Sequence, residues 1–352
     1  MPEGTFDRET AAQALARAGF TLAPLPGASF GGLVGSHHGD ACEAVAAAEA
    51  APEALPAALY ACHGLLVWPG LEDIAAAPEL LVRLSRLFGD DVEDYRQTLT
   101  PANMIHVRVP EILVVSNLPP CDRAPPPRPA PPLTADGGLP VQFPHRRGWH
   151  TDQSFRRPPP DVSLFFAEVP APPGQGQTLY ADGIAAYATL PADLKARIEE
   201  IQALHVLPGT GRSEQAVRAG ETPRPLAPHE RSQPQPLVRI HPVTGERALY
   251  LCEAGQLDWV EGPVVGLEPG PDGAGAELVY MLMHHYTQAR FVHVQNWARG
   301  DLVIYDNRSL IHAATWFDAD NHGRVMWRTT TRGNPGPLYA GEAPSWLPAA
   351  TS

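Results

Sequence analysis

His150-x-Asp152, followed far downstream by His312, places the tightest limit on how this chain can fold. On an extended segment, residues i and i+2 point to the same side. His150 and Asp152 can therefore grip one metal ion together while Thr151 turns away. Two ligands hold a metal weakly, so a third must come from elsewhere. His312 is the candidate, at the end of Leu302-Val303-Ile304-Tyr305-Asp306-Asn307-Arg308-Ser309-Leu310-Ile311-His312. Two histidines and one carboxylate form a facial set with open coordination positions, which suits non-haem Fe(II). Such a fold must bring remote strands to one open end, and a jelly roll does so.

The hydrophobic pattern supplies the strands. Residues 64–68, 109–117, 161–168, 174–182, 291–297, 301–307 and 323–331 read as β segments, and 237–251 as a hairpin around Gly245. Helices are expected over 7–19, 42–62, 71–88, from Pro191 onward, and 276–289. The expected fold is mainly β with flanking α-helices, a double-stranded β-helix (jelly roll). A helical extension over 1–60 precedes a core domain over 61–340, and 341–352 form a tail. Proline, at 40 residues, is clustered. It marks long loops at 119–138 and 208–236, since proline excludes helix interiors and central strands.

Charge and cysteine narrow the class. Lys+Arg 26 against Asp+Glu 39 leaves a net charge of −13, which argues against nucleic acid or an anionic membrane as partner. Cys42, Cys62, Cys121 and Cys252 show neither zinc spacing nor a disulfide framework. No basic region followed by an apolar run opens the chain, and no uncharged stretch could span a bilayer. A cytoplasmic protein acting on a small molecule is expected, with homo-oligomer formation left open.

An isolated His-x-Asp is common by chance, but here it stands in an ordered series. His150-x-Asp152 is followed by Gly176-Gln177-Thr178-Leu179-Tyr180-Ala181-Asp182. Then come the hairpin His241-Pro242-Val243-Thr244-Gly245, Tyr305-Asp306-Asn307-Arg308-x-x-x-His312, and Arg324-x-x-x-Arg328. Over roughly residues 60 to 335 this series resembles the taurine/2,4-D dioxygenase family of Fe(II)- and 2-oxoglutarate-dependent oxygenases. The resemblance implies His150, Asp152 and His312 as iron ligands. It implies Thr178 and Arg324 as partners of the distal carboxylate of 2-oxoglutarate. Arg328 matches an arginine that holds an anionic group of the substrate, and Arg146 falls loosely at a polar substrate contact. Fe(II), 2-oxoglutarate and O2 are the implied cofactors.

The implied reaction hydroxylates a C–H bond of a small organic substrate, which Arg328 would suit if it is anionic, with release of succinate and CO2. A planar guanidinium can bind the distal carboxylate through two parallel hydrogen bonds. The presence of Asp152 favours oxygenation over halogenation, for which related enzymes carry a small residue there. The two long Pro-rich stretches depart from compact members, so taurine or a phenoxyacetate is not carried over as substrate. The alternatives are a non-catalytic metal- or ligand-binding jelly-roll protein and a zinc hydrolase; the second gives Thr178 and Arg324 no role. Arg308, beside Asp306, reads as a structural ion pair, and Trp149 and Trp327 as core.

Overall fold

The computed structural model describes residues 6–98, 100–128, 148–252 and 255–346. Its layers follow from the alternation of side chains along each strand. In Leu302–Asp306, Leu302 and Ile304 join one apolar cluster, while Val303 and Tyr305 join another. Leu65–Trp68 divides the same way, Leu66 and Trp68 against Leu65 and Val67. The first cluster lies under the helices Arg8–Arg17, Ala41–Ala50, Ala54–Ala61 and Glu79–Ser85. The second fills the space between two facing sheets.

The large sheet has the strand order Phe20–Pro24, Gly32–Ser36, Leu65–Trp68, Leu302–Asp306, Val162–Val169, Val325–Arg332, Asp91–Val92, with Leu113–Ser116 also on Val325–Arg332. Its pairings are antiparallel except that between Gly32–Ser36 and Leu65–Trp68. The small sheet carries Thr178–Asp182 between Val292–Gln295 and Leu310–Ala314. Tyr180 and Leu310 face the large sheet, whereas Leu179, Ala181, Ile311 and Ala313 pack outward with the helix Ala274–Tyr286. This is the double-stranded β-helix. Its register is set by burial on both faces, at about 1.5–3 kcal/mol per large apolar side chain. A one-residue slip of Leu310–Ala314 would turn His312 out of the interior. Among the described residues, no helix is long and apolar enough to cross a membrane.

Residues 1–60 are not helical throughout. Phe20–Pro24 and Gly32–Ser36 are strands that extend the large sheet, with Phe20 and Val34 in the helix-side core beside Trp68. Gly32 makes the parallel pairing possible, because a Cβ there would meet Leu22, Cys62 and Leu66 at 2.7–3.0 Å. The stretch 208–236 is also more ordered than its prolines suggest. It contains the short helix Glu214–Arg218 and the strand Gln233–Pro236, which pairs with Gln202–His205. Buried ion pairing of Arg212 with Asp258 ties it down. Of the 119–138 stretch, only the part up to residue 128 lies within the described residues. The start of the tail is docked, through Glu342 on Arg157 and Trp346 against Arg156 and Arg332.

Candidate metal centre and cosubstrate pocket

Backbone pairing brings the first two histidines together. The His150 N–H donates to the His312 carbonyl at 2.9 Å, and the His312 N–H returns a bond to the His150 carbonyl at 2.7 Å. The imidazole centres lie 4.3 Å apart. His150 Nδ1 is 2.8 Å from the Gly148 carbonyl. That contact fixes Nδ1 as the protonated nitrogen and leaves the Nε2 lone pair for a ligand.

Asp152 completes the group. One ligand atom from each of His150, Asp152 and His312 falls within 4.8 Å of the others. The carboxylate is 2% exposed. Its Oδ2 accepts from the Tyr305 hydroxyl at 2.6 Å and from Ser163 Oγ at 3.3 Å, while Oδ1 accepts from Arg328 Nη1. Asn307 fixes the backbone behind it. Its Oδ1 accepts from the Asp152 N–H at 3.2 Å, and its carbonyl accepts from Thr151 Oγ1 at 2.8 Å.

Protonation states follow from these neighbours. Burial pulls His312 down to about 3, helped by His150 and Arg328 and opposed by Asp152. Burial lowers His150 as well, against the pull of Asp152. Burial alone would raise the Asp152 carboxyl, but Arg328, His312, His150 and Tyr305 hold it below the usual carboxylate range. Two neutral imidazoles and an ionised carboxylate are the forms a divalent cation requires. The donor set therefore fits a non-haem metal site.

A cavity of about 380 Å³ opens beside this group, lined by His150, His312, Tyr305, Thr178, Arg324 and Arg328 among others. Arg324 is 7% exposed, yet its Nε and Nη2 have no hydrogen-bond partner among the described residues. Burial lowers it to about 10; Tyr180 opposes that shift and Arg123 adds to it. A buried guanidinium without a counter-charge is costly, and an incoming anion would relieve the cost. Gly176 makes room for it: a Cβ there would lie 3.4 Å from the Arg324 side chain and 2.7 Å from Ala171, and its φ of +59° suits glycine. Thr178 Oγ1 accepts from Trp297 Nε1 at 3.0 Å, which leaves its own proton to donate.

The structure thus brings His150, Asp152 and His312 together and opens one cavity onto Thr178, Arg324 and Arg328. Arg328, expected at a substrate anion, makes its ion pair with Asp152. Arg146 lies outside the described residues. Sequence reasoning missed Tyr305 as the donor to Asp152. Alternation along Leu302–Asp306 could have found it, since it puts Tyr305 on the interior face with Val303. It also missed the strand Leu310–Ala314 that carries His312, and the placement of Arg123 at the cavity mouth.

The family model described as "Taurine catabolism dioxygenase TauD, TfdA family" matches residues 23–330. The chain belongs to this family. Among curated TauD/TfdA relatives, it is 35% identical over 191 residues to the (S)-phenoxypropionate/alpha-ketoglutarate-dioxygenase of Sphingobium herbicidovorans, covering 53% of this chain and 63% of that protein. It is 33% identical over 185 residues to the alpha-ketoglutarate-dependent 2,4-dichlorophenoxyacetate dioxygenase of Cupriavidus pinatubonensis, covering 52% and 59%. The match thus spans about three fifths of the length of these relatives. The crystal structure of AAD-2 in complex with Mn(II) and N-oxalylglycine superposes with a TM-score of 0.60 at 25% identity, over 89% of this chain and 97% of that one. A taurine dioxygenase from Burkholderia xenovorans gives 0.59 at 23%, over 90% of each chain, and shows the TauD/TfdA fold alone.

Proposed function

We propose that this TauD/TfdA-family protein is an Fe(II)- and 2-oxoglutarate-dependent dioxygenase that hydroxylates a small organic anion. The observation that carries the reading is Arg324. It is a buried guanidinium with two unpartnered nitrogens, opening onto the same cavity as two neutral imidazoles. Zinc-dependent hydrolysis does not itself require such a cation, whereas a dicarboxylic cosubstrate does. The names of the relatives, which act on phenoxypropionate and 2,4-dichlorophenoxyacetate, support a small carboxylate as substrate.

In this reading His150 Nε2, Asp152 and His312 hold Fe(II). Arg324 and Thr178 take the distal carboxylate of 2-oxoglutarate through charge-assisted hydrogen bonds. When metal and cosubstrate are bound, the chemistry supplied is O2-dependent decarboxylation of 2-oxoglutarate to succinate and CO2, coupled to hydroxylation of a substrate C–H bond. The protein's own part is positional. Tyr305 and Ser163 orient Asp152, Gly148 fixes the His150 tautomer, and Phe165 and Phe317 keep the cavity wall apolar. Arg328 balances the Asp152 charge and stands close enough to the cavity to meet an anionic substrate group as well.

Anaerobic titration with Fe(II) and 2-oxoglutarate tests the reading. A weak visible charge-transfer band is expected in the wild type and absent in Asp152→Ala. A wild type without the band, and without oxygen-dependent succinate formation across a panel of organic anions, would leave a binding protein instead.

A further inference from the structure

We propose that Arg123 is the specificity-determining anchor for the charged end of the primary substrate, an organic anion with an apolar body. This rests on the functional reading above. Three guanidiniums, from Arg123, Arg324 and Arg328, line the cavity, and no carboxylate does so among its described lining residues. In a chain with a net charge of −13, that is a local reversal of sign.

The three arginines are not equivalent. Arg324 is deep and stands with Thr178, where the cosubstrate belongs. Arg328 has its charge engaged by Asp152. Arg123 stands exposed at the mouth, and its side chain has neither a hydrogen-bond nor an ion-pair partner among the described residues. Among the described residues it is the one of the three whose charge is neither committed to a carboxylate nor placed with the cosubstrate, which makes it the main anchor for a second anion.

Its position is built by a tight turn. The Cys121 and Asp122 N–H groups both donate to the Leu118 carbonyl at 3.1 Å, and Asp122 adopts φ 49°. The Arg123 N–H then closes on the Ser116 carbonyl at 2.8 Å. Asn117, inside the same turn, accepts from the Arg324 N–H at 2.7 Å and donates to the His322 carbonyl at 3.0 Å. The turn that presents Arg123 is thereby tied to the backbone that presents Arg324. The Arg123 charge is felt at Arg324 and at His150, and that of Arg328 at Arg123.

The residues that follow define the rest of the ligand. Pro125, Pro126 and Pro127 form one wall, with Phe165 and Phe317 also lining the cavity. These are flat or rigid apolar surfaces that suit an aryl or alkyl body. A guanidinium accepts carboxylate, sulfonate and sulfate alike through paired N–H donors. The anionic group would sit at the mouth, with the body directed toward His150 and His312.

The test uses the full chain loaded with Mn(II) and N-oxalylglycine, titrated calorimetrically with 2-phenoxypropionate, hexanesulfonate and hexyl sulfate. The wild type is expected to bind at least one of them. Arg123→Ala and Arg123→Gln should each weaken that ligand about tenfold or more, and Arg123→Lys less, because the paired donors are lost but the charge stays. N-oxalylglycine affinity should move less than about twofold, since its charge partner is Arg324. The proposal falls if both variants bind the anion within twofold of wild type, or if no anion binds the wild type. It also falls if Arg123→Ala loses N-oxalylglycine equally, which would put Arg123 in the cosubstrate site. A wild type that fails to bind Mn(II) and N-oxalylglycine would instead refute the dioxygenase reading. The anion titration, repeated on the protein alone, then decides Arg123 by the same criteria.

Discussion

Arg308 and Arg324 are both buried, both lie close to the candidate metal centre in sequence, and are treated in opposite ways by the fold. Arg308 sits in the turn between two strands with every arm engaged. Its Nε reaches Asp306 Oδ1 at 2.8 Å, Nη1 the Asn334 carbonyl at 3.0 Å, and Nη2 the Tyr60 hydroxyl at 3.3 Å as well as Asp306. His241 adds a contact to the same carboxylate at 3.0 Å. Burial would raise Asp306, yet Arg308 and His241 hold it far below its ordinary range. Arg324 has two nitrogens without partners and a cavity in front of them. A buried cation that is fully paired belongs to the scaffold, and one left unpaired beside a cavity is kept for a ligand.

The largest expected effect is on the paired side. Arg308→Met leaves Asp306 buried without its main counter-charge and should cost about 3–5 kcal/mol in urea unfolding. A loss below 1 kcal/mol would end the distinction between the two regions. Arg324→Met should leave stability within about 1 kcal/mol of wild type or raise it, because it removes an unpaired buried charge. The same substitution should weaken N-oxalylglycine binding by about thirtyfold or more, near 2 kcal/mol. A stability loss matching that of Arg308→Met would show that Arg324 also serves the scaffold.

Between these extremes stands Asp152, paired with Arg328 yet aimed at the cavity. Tyr305→Phe removes the 2.6 Å phenol contact while keeping the ring. It should weaken Mn(II) binding about tenfold, as the loss of a hydrogen bond that orients a metal ligand commonly does. Unchanged metal affinity would show that Asp152 is held without it.

The smallest effect is expected at the surface. Arg224 and Glu230 make a two-pronged pair at 2.7 Å, and Glu230 also accepts from the Ala227 N–H at 3.0 Å. The Arg224 contact, with the backbone bond next, lowers Glu230 to about 2. A depressed carboxylate stabilises the fold above its ordinary value near 4.5 and loses that contribution as pH falls through about 2. Glu230→Gln should therefore cost under about 1 kcal/mol at pH 7 and nothing below pH 2. A cost that persisted in acid would mean that the amide disturbs packing rather than charge.

Much of this centre was legible in the sequence, for reasons of unequal strength. His150 and Asp152 follow from period-two geometry, and the inward faces of 302–306 and 178–182 follow from alternation. Arg324 and Thr178 needed the resemblance, because no local pattern says that a guanidinium will be left unpaired. The Arg328 contact with Asp152 was out of reach, since it depends on the turn that carries Asp152 meeting a strand residue 176 positions further along the chain. The strands Phe20–Pro24 and Gly32–Ser36 were missed because their place depends on a parallel pairing with Leu65–Trp68, which is a long-range choice. Arg123 lay in a proline-rich stretch that reads only as a long loop, and the turn built on Leu118 and Ser116 gives it a direction.

The reciprocal backbone bonds between His150 and His312 carry one further consequence. They weld the two imidazole-bearing segments in the polypeptide itself, so the spacing of the rings is a property of the ladder rather than of whatever ion they receive. Such a centre is cast before it is filled. Loading should be quick, should leave the circular dichroism of the chain unchanged, and should proceed with cations of similar radius on the same template. Selectivity among cations then falls to supply and to the chemistry that follows, not to any rearrangement of the mould.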